Sequence, residues 1–208
     1  MSDWDLVQRF SLDYLADSDD VVYLEEASIE HGVSALGRIL GHTIQQIARA
    51  MDAKHIVEVG TGVGVLTMRL AEACPSAHIT SIDEEPDHHV TFKELMPEVG
   101  LDSTRVRLIT ERAGDVLPKM NENSYDLVVF DIPADDVEAS FRDAVSICRP
   151  RGAILVCRAL VGGQIADPAT RTAAGPDRYR PNRTRRPDRT RPGRTGRHGA
   201  PPYSCRAV

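Results

Sequence analysis

Apolar side chains recur at helical spacing early in the chain and in short continuous runs through its middle. Leu36, Leu40, Ile44, Ile47 and Met51 step by three and four residues, which puts them on one face of a helix. Gly32 separates this stretch from an earlier helical one over 21–30, so residues 1–53 read as a helical segment. Beyond it, β-rich runs at 55–59, 78–82, 106–109, 127–130 and 153–157 alternate with helical stretches at 66–73, from about residue 86, and across Val137, Phe141, Val145 and Cys148. Strands that alternate with helices pair in parallel through crossovers. The expected fold is α/β: a doubly wound, mostly parallel Rossmann-like sheet over 54–168. Ligands in such sheets bind at the carboxyl ends of the strands, so the residues that follow each strand carry the functional information.

After the first strand comes Glu58-Val59-Gly60-Thr61-Gly62-Val63-Gly64. The spacing is G-x-G-x-G, and Val65 stands where a dinucleotide fingerprint needs its last glycine. A glycine triplet alone serves any tight strand-to-helix turn. Here Glu58 lies inside the preceding strand and Asp83 follows the second strand, 23 residues past Gly60. A loop of this spacing beside an acid suits a ligand with a cationic amino group and no phosphate, and a carboxylate at Asp83 can accept both hydroxyls of a ribose.

These segments resemble the class I S-adenosylmethionine-dependent methyltransferases, and more narrowly the catechol/caffeoyl-CoA-type O-methyltransferases. The matching text is E-V-G-T-G-V-G (58–64), I-T-S-I-D-E-E-P (79–86), A-G-D-V-L-P (113–118), Y-D-L-V-V-F-D (125–131) and R-P-R-G-A-I-L-V (149–156), within a likeness over about residues 33–170. The resemblance implies S-adenosyl-L-methionine as cofactor, with Gly60, Thr61, Gly62 and Gly64 around its methionine half. It likewise implies that Asp83 holds the ribose, that Ala113 flanks the adenine, that Glu58 supports the loop and the amino group, and that Leu36 offers a backbone contact. Asp131 is the expected catalytic residue, touching cofactor or acceptor, with a structural role at the strand end as the alternative. The implied reaction is methyl transfer to a hydroxyl of a small-molecule acceptor; the alternative is a non-catalytic or truncated S-adenosylmethionine-binding protein. A homodimer fits the resemblance, although no residue pattern fixes an interface.

The departures are as informative. Leu66 stands where relatives commonly carry a serine. Metal-dependent relatives place an acid after strand four and an Asp-Asn pair after strand five; here Asp131 is present and the pair reads Cys157-Arg158. One carboxylate facing an arginine is a poor cage for a hard divalent cation, so no metal is expected. A lysine base found in several relatives would fall near Ala134 and is missing. Asp135 and Asp136 read as acids at a helix start, and His88 and His89 as solvated residues in the first turns of a helix.

Charge divides the chain. Residues 1–170 hold 14 basic and 29 acidic side chains, a net of −15, whereas 171–208 hold 11 arginines and two aspartates, a net of +9. An acidic body repels phosphate backbones, so nucleic acid is not an expected partner. Of the last 38 residues, 29 are Arg, Pro, Thr, Gly or Ala, and none is Leu, Ile, Met, Phe or Trp. Such a stretch is expected to be a disordered tail over 169–208 in place of the final strands the resemblance implies, leaving a fragile sheet. Two readings stand: an arginine-rich arm for an acidic partner, or an out-of-frame product of GC-rich DNA. The absence of lysine favours the second. Four scattered cysteines, an acidic start and no apolar run of about 18 residues point to a cytoplasmic protein with reduced thiols and no membrane span.

Overall fold

A computed structural model describes residues 14–158, the side chains of Ala134 and Asp135 excepted. Two helices, α1 (Asp19–Glu30) and α2 (Arg38–Ala50), precede β1 (His55–Val59), α3 (Val65–Ala73), β2 (His78–Asp83), α4 (Pro86–Leu95) and β3 (Val106–Thr110). A short α5 (Ala113–Val116) runs into a 3-10 turn, and then come β4 (Tyr125–Pro133), α6 (Ala134–Ile147) and β5 (Cys148–Arg158). The expectations for residues 159–208, including the disordered tail and the missing final strands, lie outside the described residues.

The five strands form one parallel sheet in the order β3-β2-β1-β4-β5. Strand order reverses between β1 and β4, which makes their carboxyl ends the switch point where such sheets take ligands. Both faces are covered, so the central strands read as apolar runs; Leu127, Val128, Val129 and Phe130 are all fully buried. Alternate residues feed two cores. Ile56, Ile79, Leu127 and Val129 pack with α1, α2, α3 and Phe92 on one side. Val57, Val59, Ile82, Val128 and Phe130 pack with Val116, Leu117 and α6 on the other. The N-terminal helices therefore share the core of the α/β body.

Local chemistry sets the element ends. The Ser18 hydroxyl accepts the Val21 amide at 3.2 Å, with Asp19 and Asp20 in the first turn of α1. Pro86 opens α4, where the missing N–H costs nothing. Asp126 fixes the start of the sheet, its Oδ2 accepting the amides of Lys54 and His55 at 2.6 and 2.8 Å. A buried ion cluster ties α1 and α2 to α3. Arg69, without solvent exposure, pairs with Asp17 and with Glu25 (2.7 Å), and Arg38 reaches Asp17 at 2.7 Å. Gly41 makes room for it, since a Cβ there would lie 2.7 Å from Arg69 Nε.

Three boundaries differ from the sequence pattern. Helix α2 starts at Arg38, so Leu36 belongs to the connector before it. Strand β5 begins directly at Cys148, through a Pro-Arg-Gly stretch that reads as a turn. Its pairing with β4 passes from Cys148 straight to Ala153, so 149–152 form a bulge with Arg151 at φ +72°, and the stretch keeps its turn-like geometry inside the strand. The α5 turn went unpredicted because four residues carry no periodicity. Among the described residues no helix is long and apolar enough to cross a membrane.

Candidate functional site

A cavity of about 600 Å³ opens at the carboxyl ends of β1, β2, β4 and β5, within the range of small-molecule and cofactor sites. One wall is the loop after β1 with the end of β2. The other is the end of β4 and β5. The connector residues Val33, Ser34, Ala35 and Leu36 complete it from the N-terminal side.

The glycines of the loop are needed for conformation and for closeness. Gly60, Gly62 and Gly64 hold φ of +98°, +53° and +90°, where a side chain is strained. A Cβ on Gly60 would come within 2.6 Å of the Asp131 carbonyl oxygen, and one on Gly62 within 2.9 Å of Val33 Cγ1. The loop is therefore pressed against both the opposite wall and the connector. The Gly62 amide donates to Asp83 Oδ2 at 2.9 Å, and the Glu85 amide to Oδ1 at 3.0 Å. His88 Nδ1 lies 3.1 Å from Oδ2. Three of roughly four acceptor positions on this carboxylate are thus engaged. One further hydroxyl can be accepted directly, and a second only if His88 moves away.

Behind the loop runs a buried chain of polar groups. Glu58 Oε2 accepts the hydroxyls of Thr67 (2.5 Å) and Ser81 (2.7 Å). Thr61 Oγ1 is 2.7 Å from Ser81 Oγ and 2.9 Å from His89 Nε2, and His89 Nδ1 is 2.7 Å from Thr110 Oγ1. With Ser81 donating to Glu58, Thr61 must donate to Ser81. His89 Nε2–H then donates to Thr61, and its Nδ1 accepts from Thr110. This is a neutral imidazole, in keeping with burial holding His89 below the usual histidine range. Glu58 Oε1 has no hydrogen-bond partner among the described residues. Burial pushes the carboxyl up to about 8, against the two hydroxyl donors and with help from the charges of Asp131 and Asp83.

On the opposite wall, Arg158 Nε donates to Asp131 Oδ1 at 2.5 Å, and its Nη2 donates to the Ser34 carbonyl at 2.6 Å. Burial raises the Asp131 carboxyl while the guanidinium opposes the rise. Cys157, on the preceding position of β5, is pushed up to about 12 by burial and by the charges of Asp131 and Glu58, so its thiol stays neutral. Six carboxylates (Asp83, Glu84, Glu85, Glu111, Asp131, Asp136) line the cavity against two guanidiniums, Arg112 and Arg158. Arg112 itself sits 3.5 Å from Glu84. The balance favours a cationic ligand.

Of the residues singled out from sequence, Leu36, Gly60, Thr61, Gly62, Asp83, Ala113 and Asp131 line the cavity. Glu58 sits beneath it, and Gly64 faces Phe92, whose ring a Cβ would strike at 2.0 Å. Gly64 stands at the helix start with φ +90° and packs against Phe92, outside the lining of the cavity. Thr61 presents its backbone, since its hydroxyl is spent on Ser81 and His89. The expectation of solvated histidines fails for His89, which is 1% exposed, whereas His88 stays part-exposed at 29% while contacting Asp83. Both are drawn in because α4 turns that face onto β2 and β3. Reasoning from sequence set Arg158 against Asp131 but missed Ser34 and Ser81 as partners. Ser81 carried a signal, because it is the Cα partner of Glu58 once β1 and β2 are aligned. Ser34 carried none.

The methyltransferase domain family matches residues 57–156. An O-methyltransferase of Mycobacterium sp. (strain JLS) is 36% identical over 154 residues, covering 74% of this chain and 70% of the relative. An O-methyltransferase of Mycobacteroides abscessus is 32% identical over 156 residues, covering 74% and 73%. Among solved structures, the O-methyltransferase TomG from Streptomyces achromogenes, in complex with SAM, superposes with a TM-score of 0.69 at 24% identity, over 79% of this chain and 76% of that one. A caffeoyl-CoA O-methyltransferase from Staphylococcus aureus gives a TM-score of 0.69 at 21% identity, over 79% and 78%. These structural likenesses concern the fold.

Proposed function

The chain belongs to the O-methyltransferase family and transfers methyl groups from S-adenosylmethionine; from that premise we propose that the cavity holds this donor beside a hydroxylated small-molecule acceptor. The fit to the donor is supported by the unpartnered, buried Glu58 Oε1 under a loop that only glycine can form, and by the excess of carboxylates around the cavity. The bound sulfonium supplies an already activated methyl group, so alignment with the acceptor oxygen accounts for much of the acceleration.

The protein's own contribution is holding and proton handling. Gly60, Thr61 and Gly62 offer backbone to the methionine half, and Glu58, held protonated by burial in the ligand-free fold, ionises beneath the loop as the cationic amino group arrives. Asp83 accepts a ribose hydroxyl on Oδ1, the oxygen with an acceptor position to spare. Ala113 lies at the adenine side, and Leu36 closes the cavity from the connector. On the far wall Asp131 faces the acceptor and takes its hydroxyl proton.

The observation that carries this reading is the meeting of the glycine loop and Asp83, joined by the Gly62 amide, at the switch point of the sheet. Calorimetric titration of the full chain with S-adenosylhomocysteine tests it, and saturable one-to-one heat is expected. Labelled-methyl transfer to a panel of catechols and phenols then tests the acceptor class. No heat with the homocysteine product would remove the site assignment.

A further inference from the structure

The groups on the β4–β5 wall have one feature that the transfer reaction does not require: a single guanidinium joins three separate parts of the site. Arg158 is the last described residue of β5. Its Nε holds Asp131 Oδ1 at the end of β4 (2.5 Å), and its Nη2 holds the Ser34 carbonyl in the connector (2.6 Å). Nη1 comes within 3.4 Å of the Ser34 hydroxyl. The connector bears on the cavity directly, because Val33 Cγ1 packs where a Gly62 side chain would stand. Flanking it are Gly32, at φ +68°, and Gly37 at the start of α2. Besides the packing of Val33, Ala35 and Leu36 on the core, its other hydrogen bonds among the described residues are local, from the Ser28 hydroxyl to the Val33 carbonyl and from the Val33 amide to the Ser28 carbonyl. Arg158 is thus the long-range tie between the connector and the strand that carries the acceptor-side carboxylate.

The same contact decides what else Asp131 can hold. A hard divalent cation needs about six oxygen ligands. Here one carboxylate oxygen already faces a guanidinium, and the neighbouring Cys157 thiol is neutral and soft. Among the described residues no group of three acidic, histidine or cysteine side chains converges. The donor set does not fit a divalent ion, and a cation is already built into the wall.

We propose that Arg158 is the positioning residue of the acceptor side. Its guanidinium orients the Asp131 carboxylate and fastens the 33–36 connector over the cavity, in the place a bound divalent ion would otherwise take. The orientation of Asp131 and the closing of the connector are therefore coupled through one side chain. This assignment rests on the cavity being the donor and acceptor site.

Hydrogen exchange and ligand affinity of Arg158→Met and Arg158→Lys test it. In the Met variant the amides of 33–36 should exchange about tenfold faster or more, with β1 and β2 unchanged. Affinity for S-adenosylhomocysteine should fall at the same time. Lysine, which keeps charge but loses the fork, should recover part of both effects, which a loss of packing alone would not predict. The pH dependence of turnover should move up in the Met variant, because Asp131 loses the cation that opposes its rise. Exchange and affinity in the Met variant equal to wild type would overturn the proposal. Should the Met variant fail to fold, Mn²⁺ titration of the wild-type chain by EPR decides. No saturable binding supports the tie; stoichiometric binding abolished by Asp131→Asn overturns it. Wild-type protein that does not bind S-adenosylhomocysteine sinks the site reading itself, and the exchange result still judges the tie.

Discussion

The β1–β2 wall of the cavity is assembled from groups close in sequence, whereas the β4–β5 wall depends on distant ones. Glu58 meets Thr67 nine residues on and Ser81 after 23, and Gly62 meets Asp83 after 21. Within one β-α-β unit these hydroxyls and amides engage Glu58 Oε2 and Asp83, while Glu58 Oε1 stays without a hydrogen-bond partner among the described residues. Asp131 is steadied by Arg158, 27 residues away, which in turn reaches Ser34 across 124. The first wall is held mostly by contacts local in sequence. The second is formed only when the connector is in place. Affinity for the donor should therefore reside in the first wall, and control over the acceptor in the second.

The harshest way to break the first wall is through its packing glycine. Gly64→Ala forces a side chain into φ +90° and against the Phe92 ring. Strain of about 1–2 kcal/mol and overpacking of about 1–3 kcal/mol should together lower urea-measured stability by about 2–5 kcal/mol. A loss below about 1 kcal/mol would mean that Phe92 yields freely, and that the wall is softer than its geometry implies.

The division of labour is tested by pairing Asp83→Ala with Asp131→Ala. A hydrogen bond to a charged group contributes about 1.5–3 kcal/mol. Asp83→Ala should therefore weaken S-adenosylhomocysteine binding by about tenfold to a hundredfold. Asp131→Ala should weaken it far less while lowering turnover. Equal losses of affinity would show that the two walls do not divide the work.

A pH series sharpens the comparison further, because the buried acid with the largest rise lies under the first wall. Glu58 is raised in the folded protein to about 8 from the ordinary 4.5. Its contribution to stability is complete below the unfolded value and is lost as pH climbs through the folded one. Between pH 5 and 8 the ligand-free protein should lose stability at a slope approaching about 1.4 kcal/mol per unit. Glu58→Gln should flatten that slope. His89 acts in the opposite sense, since its folded value is depressed, and offsets part of that slope below the usual histidine range. An unchanged slope in the Gln variant would show that Glu58 is already ionised and that its Oε1 is compensated.

Most of the fold was legible because its signals are local. Five apolar runs separated by helical stretches specify a parallel sheet, and each run became part of a strand. The ends moved where local signals are weak: α2 starts at Arg38 and not at Leu36, and β5 reaches back to Cys148 through a bulge at 149–152. Part of the site was legible for the same reason. Gly60, Gly62 and Asp83 follow their strands directly, and the carboxyl ends of adjacent parallel strands meet. The histidines of α4 misled because two adjacent positions differ only in which way the helix turns: His89 faces the core, and His88 the cavity.

The amino-acid sequence by itself determined the alternation of strands and helices, the glycine turn and the acids beside it. Each depends on backbone sterics or on periodicity within a few residues. Only the tertiary structure decided that Ser81 and Thr61 relay between Glu58 and His89, that Gly64 serves Phe92, and that Arg158 fastens Ser34 to Asp131. Those contacts join residues whose separation along the chain carries no pattern. They exist because packing two helical layers onto one sheet brings polar groups together out of water, where each must find a partner.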